Sequence, residues 1–88
     1  MAWTIDYTDT ARLQLQKLDK KTARRILDYM DERIVPLEDP RRSGKALTGP
    51  LGTFWRYCVG ACRVICDIQG GAMRVLVVRI GARDKVYR

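Results

Sequence analysis

The sequence predicts an α+β fold: one strand, a helical hairpin, then a strand meander with the helices on one sheet face. Two changes of apolar period carry this, with the placement of the glycines and prolines. Apolar residues recur at i, i+3 and i+4 between residues 11 and 34. From residue 53 onward they alternate with a period of two. Between these halves, Pro36, Pro40, Gly44, Gly49, Pro50 and Gly52 mark a loop.

The first strand is Ala2–Tyr7, where Trp3, Ile5 and Tyr7 alternate with Thr4 and Asp6. Thr8 or Asp9 can cap the first helix, whose stripe is Ala11, Leu15 and Leu18. Asp19 caps the second helix, with Ala23, Ile26, Leu27, Met30 and Ile34 on its apolar side. A joint this short predicts an αα-hairpin, and Pro36 ends its second arm. Residues 37–52 read as a long basic loop carrying Arg41, Arg42 and Lys45. Phe54–Val59, Cys62–Gln69 and Met73–Ile80 follow as three antiparallel strands, joined by tight turns at Gly60–Ala61 and Gly70–Gly71. Gly81 opens a basic tail, ARDKVYR.

A chain of 88 residues is one domain with a thin core, so residues 1–88 are expected to form a single unit. No apolar run reaches the roughly 20 residues a bilayer span needs, and MAWTIDYTD lacks the pattern of a signal peptide. A soluble protein with no membrane partner, in the cytoplasm, is expected. Cys58, Cys62 and Cys66 are three, evenly spaced, and accompanied by no histidine. They form neither a closed disulfide framework nor the paired spacing of a zinc site. Reduced thiols filling small apolar sites, and no metal or cofactor, are expected.

Charge is divided unevenly along the chain. Residues 1–40 hold seven basic and eight acidic side chains. Residues 41–88 hold ten basic ones against Asp67 and Asp84. The net charge of +7 therefore resides in the β-rich half, which points to a polyanionic partner. Alternation puts Phe54, Arg56 and Cys58 on one side of their strand, opposite Trp55, Tyr57 and Val59. In the next strand Val64, Cys66 and Ile68 make the core face, so Arg63 points away from the helices with Ile65 and Asp67. In the third, Arg74, Leu76, Val78 and Ile80 share one side and Val75, Val77 and Arg79 the other. Pattern alone leaves open which set is inward. The size of Trp55 and Tyr57 favours core packing over base stacking. Tyr87, between Lys85 and Arg88, is available for a functional role.

The stretch KALTGPLGTFWRYCVGACRVICDI, then VLVVRIGARDKVYR, resembles the RelE/ParE superfamily of toxins from toxin–antitoxin modules. The WRY strand, Arg63 opening the next strand and the final IGARDKVY are its most specific features, and the order of elements matches along essentially the whole chain. RelE-like members cut mRNA in the ribosomal A site; ParE-like members bind DNA gyrase; an antitoxin silences both. The resemblance implies catalytic roles for Arg56, Arg63, Arg83 and Tyr87, and RNA contacts near Lys45. Arg41, Arg42, Arg79 and Lys85 join these as RNA-binding candidates by charge and position. It implies metal-independent attack by the RNA's own 2′-hydroxyl, with Arg63 and Arg83 clamping the phosphate, and a cognate antitoxin as partner. Cys58 and Ala82 depart from the pattern, standing where active relatives commonly carry basic or titratable side chains. A gyrase poison, and an RNA-binding module without chemistry, are the alternatives.

Overall fold

A computed structural model describes residues 3–47 and 54–82. Its strands are β1 (Thr4–Tyr7), β2 (Lys45–Ala46), β3 (Trp55–Val59), β4 (Cys62–Gln69) and β5 (Arg74–Ala82). The helices α1 (Asp9–Lys17) and α2 (Lys20–Tyr29) lie between β1 and β2. The five strands form one mixed sheet in the order β1-β5-β4-β3-β2. The expected meander is present as β3, β4 and β5, but it is the middle of a wider sheet. β1 returns parallel to β5, and β2 adds a short antiparallel edge to β3.

Local chemistry explains the helical hairpin. Thr8, not Asp9, caps α1: its hydroxyl accepts from the Ala11 amide at 3.1 Å. Asp19 caps α2 by accepting from the Thr22 amide at 3.2 Å, and these bonds with Thr22 hold its carboxyl below the usual range. Past Tyr29 the helix loosens into a π turn, Met30–Ile34, closed by the Val35 amide on the Met30 carbonyl at 3.1 Å. Pro36 has no amide to continue the ladder.

The core lies between the helices and the sheet face that presents Tyr57, Val59, Val64, Cys66, Val75, Val77 and Ile80. Ala11, Ile26, Met30 and Ile34 meet it from the helices, and Trp3 from before β1. Trp55 and Tyr57 pack on this side, as their size favoured. Cys62 and Cys66 are buried thiols. Cys58 is a correction: it is exposed on the opposite face rather than filling an apolar site.

The boundaries of the later strands also differ from the pattern. β3 starts at Trp55 and β5 runs on to Ala82, so Gly81 does not end the strand. The glycines of the β4–β5 connection form a 3-10 turn, Gly70–Ala72, and the left-handed residue is Met73, with φ of 49°. Within β5, Ile65 faces Arg79 while its neighbour Cys66 faces Val77, so Val78 is an extra residue. This bulge answers the open question of which β5 set is inward. Val75 and Val77 point inward before it and Ile80 after it, while Val78 packs on the opposite face.

Gln14 of α1 and the N-cap Thr8 hold the bulge. The Thr8 amide donates to the Val77 carbonyl at 3.0 Å and the Thr8 hydroxyl to the Val78 carbonyl at 3.2 Å. The Ile80 amide donates to Gln14 Oε1 at 2.6 Å. β1 ends opposite Val77, so these side chains take over where strand pairing stops.

Candidate nucleic-acid interface

The sheet face away from the helices collects the basic side chains in cross-strand register. One row reads Lys45, Arg56, Ile65 and Arg79 across β2, β3, β4 and β5. The next reads Cys58, Arg63 and Gly81 across β3, β4 and β5. Neighbouring strands lie about 4.8 Å apart, and successive same-face rows about 7 Å apart. Four cations therefore share a small patch. The bulge brings Arg79 into it, since unbroken alternation would have kept Arg79 on the side of Val75 and Val77.

Lys45 is placed by an edge strand that the sequence pattern read as loop. Trp55 Nε1 donates to the Ser43 carbonyl at 2.6 Å, and the Tyr57 hydroxyl donates to the Pro40 carbonyl at 2.7 Å. Burial raises the Tyr57 phenol well above its ordinary pKa, which keeps that donor protonated. Gly44, with φ of 74°, lets the backbone close on β3: a Cβ there would lie 2.2 Å from the Arg56 carbonyl oxygen. A two-residue strand is too short to show a period, so this arrangement is invisible to alternation.

Arg63 is held by its cross-strand neighbour Cys58. It is half-buried; its NH1 donates to Cys58 Sγ. Its Nε is buried and has no hydrogen-bond partner among the described residues. A buried donor without an acceptor is costly, and a phosphate oxygen is well suited to supply one. Gly81, its neighbour on β5, adds no side chain beside it.

Other expected residues lie elsewhere. Arg41 and Arg42 sit in the 3-10 turn Pro40–Arg42, outside the register rows. Arg41 is 3.7 Å from Asp39 and Arg42 is 4.0 Å from Glu38, both exposed pairs of low energetic weight. Arg83, Lys85 and Tyr87 fall outside the described residues; Ala82 ends β5 opposite Cys62. Among the described residues, no three His, Cys, Asp or Glu side chains come together to hold a metal. No described helix is long and apolar enough to cross a membrane.

Charge counting missed a second feature of this face. Leu47, Phe54, Ile65 and Val78 form an apolar cluster on the side away from the core, with Ile65 only 3% exposed. The sequence signal was present: Phe54 and Ile65 fall on the same side as Arg56 and Arg63. A groove beside α2, lined by Thr22, Arg25, Asp28, Tyr29, Arg33 and Val59, is mixed in charge, with Arg24 and Asp28 paired at 3.1 Å. It lacks the single sign of the sheet face.

Comparison with known proteins agrees with this architecture. The fold is similar to the toxin–antitoxin complex RelBE2 of Mycobacterium tuberculosis, with a TM-score of 0.85 and 24% identity over 94% of this chain and 100% of that one. It is similar to the intact E. coli RelBE complex, with a TM-score of 0.73 and 18% identity over 92% and 96%. The archaeal RelE–RelB complex from Pyrococcus horikoshii gives 0.66 and 22% over 98% and 100%. At these identities the likeness is one of fold. No curated protein sequence matches the chain. The family model described as the ParE toxin of type II toxin–antitoxin systems, parDE, matches residues 5–87. With nearly the whole chain covered by that model and the fold shared with RelBE complexes, this protein belongs to the ParE toxin family of type II toxin–antitoxin systems, within the RelE/ParE superfamily.

Proposed function

We propose that this toxin is a ribosome-dependent endoribonuclease that cuts mRNA in the A site, inhibits translation and is silenced by a cognate antitoxin. The observation that supports this best is Arg63, with a buried, unsatisfied Nε in a face that also carries Lys45, Arg56 and Arg79. In the reaction, the 2′-hydroxyl of one nucleotide attacks the adjacent phosphorus. The P–O5′ bond breaks, leaving a 2′,3′-cyclic phosphate and a 5′-hydroxyl. One proton leaves the 2′-oxygen and one reaches the 5′-oxygen. Arg63 and Arg83 hold the phosphate as it gains charge, and Arg56 adds a further cation; fixed charge of this kind is usually the largest catalytic contribution. The chain has no histidine, so proton transfer falls to Tyr87, the RNA or the ribosome.

A binding poison of DNA gyrase is the second reading. The ParE description of the matching family favours it, as do Cys58 and Ala82, which stand where RNA-cutting relatives commonly carry basic or titratable side chains. Brief induction followed by 5′-end mapping of mRNA separates the two. Cut messages preceding any change in supercoiling are expected, and Arg63→Ala should abolish both cutting and growth arrest while remaining folded. Full toxicity from a folded Arg63→Ala protein, or supercoiling defects with intact messages, would sink the nuclease reading.

A further inference from the structure

The apolar cluster on the basic face has no part in clamping a phosphate. Phe54, half-buried, is packed with Leu47, Ile65 and Val78 at the surface of a sheet face that otherwise gathers cations. Three same-face rows run along the sheet. Arg63 lies in the first, Arg56, Ile65 and Arg79 in the second, and Phe54 in the third. Their spacing, about 7 Å per row, is comparable with the phosphate repeat of an extended single strand. The Leu47 amide donates to the Phe54 carbonyl at 3.0 Å, which anchors the third row to the backbone leaving β2.

The register of β3 on β4, continued one residue past Trp55 and Cys66, sets Phe54 opposite Asp67. Asp67 is the one acidic side chain among the described residues of the chain's basic second half. Gln69 Nε2 donates to its Oδ2 at 3.2 Å and so orients the carboxylate, while Oδ1 can accept from a ligand. A phosphate would be repelled there, whereas a base with an exocyclic amino group would be welcomed.

We infer that Phe54 and Asp67 form a base-reading subsite for one unpaired nucleotide about two positions from the cleaved phosphate, with the base stacked on Phe54 and its amino group donating to Asp67. The inference rests on the nuclease reading and adds a specificity to it. Stacking on an aromatic is tolerant of sequence. A carboxylate beside it is not: it accepts from the amino groups of cytosine, adenine or guanine, whereas the N3–H of uracil lies between two carbonyl oxygens that repel it. Arg56 and Arg79, flanking Ile65, supply the cations for the neighbouring backbone. An antitoxin side chain is the competing occupant. The succession of rows at about 7 Å, with Arg63 in the first and Arg56 and Arg79 in the second, favours the nucleotide.

The test maps cut sites in cells expressing the wild-type protein, Phe54→Leu, Phe54→Trp and Asp67→Asn, with antitoxin binding and thermal melting measured on each. In the wild type, uracil is depleted at one position within two nucleotides of the cut. Phe54→Leu keeps the packing but removes the ring, and cutting should fall about tenfold, the scale of one lost base stack. Phe54→Trp restores it. Asp67→Asn lets uracil rise to its share of the message pool while cutting persists. Cutting with no base bias near the cut, or with a bias that Asp67→Asn leaves unchanged, overturns the inference while the nuclease reading stands. So does a Phe54→Leu protein with wild-type cutting and weakened antitoxin binding. A wild-type protein that cuts no message removes the nuclease reading and this subsite with it.

Discussion

Gly44 shows how a residue with no side chain can set the position of a cation. The chain must pass beneath the β3 backbone before Lys45 can pair with Arg56. A methyl group at Gly44 would collide with the Arg56 carbonyl oxygen and approach Trp55 Nε1 and Tyr57 to 2.8 Å. The φ of 74° adds strain for any L side chain. Gly44→Ala is therefore expected to lower stability by about 1–3 kcal/mol, the usual cost of a strained backbone position. Denaturant melts would show it as a fall in midpoint. Because the same change displaces β2, toxicity should drop more than stability alone explains. A variant as stable as the wild type would mean that the strand reaches β3 by another path. Arg63 makes the complementary case. Alternation placed it on the outer face, but its contact with Cys58 and its buried Nε depend on the partner strand and were not legible in the sequence.

At the level of elements, α1 acts as a brace for β5. Gln14 and Thr8 serve backbone groups that would face a neighbouring strand if β1 were longer. Gln14→Leu removes the acceptor for the Ile80 amide. An unsatisfied buried donor costs about 1–3 kcal/mol, and the loss should be local. Hydrogen exchange at the Ile80 amide is expected to accelerate, while the Val64 amide in the centre of the sheet stays protected. Equal exchange in both proteins would show that the bulge holds itself. Most elements were readable from pattern, because a strand or helix of several residues advertises its buried side. β1, both helices and the meander appear where alternation and caps put them. The elements that were not readable share one cause. A two-residue strand has no period, and a bulge is a break in the period, so β2 and the second half of β5 depend on contacts made across the sheet. Those two elements contribute two of the four cations on the candidate face, Lys45 and Arg79.

Across the whole molecule, charge on the outer face is graded. Towards the start of β5, Arg74 is taken up by Asp6 at 3.5 Å and by Gln69 Oε1 at 2.7 Å. At the other end lie Arg56, Arg63 and Arg79, with the acidic side chains Asp6 and Asp67 left behind. If RNA follows this gradient, binding should weaken steeply with salt, each neutralised phosphate adding about one to the slope of log K against log salt. Arg79→Ala should reduce that slope by about one, as should Arg63→Ala. Arg74→Ala should leave it unchanged, which makes it the internal control. Titrating a short single-stranded RNA at several salt concentrations provides the measurement. Equal slopes for all three variants would remove the gradient as a guide to the binding path.

The extra residue at Val78 divides β5 into two strands of opposite parity. Before it, Val75 and Val77 enter the core; after it, Ile80 does. The chain can thus vary one stretch without disturbing the other: positions 74–77 answer to β1 and the interior, and position 79 answers to the basic outer face. The same arrangement lets the strand lose its extra residue without changing sides. Removing Val78 alone would set Val77, Arg79 and Ile80 in plain alternation, with Arg79 still opposite Ile65 on the outer face and Ile80 still in the core. A single-codon deletion would then take from the outer face only the packing of Val78 on the cluster of Leu47 and Ile65, and from the Thr8 hydroxyl its acceptor, while every basic side chain keeps its side.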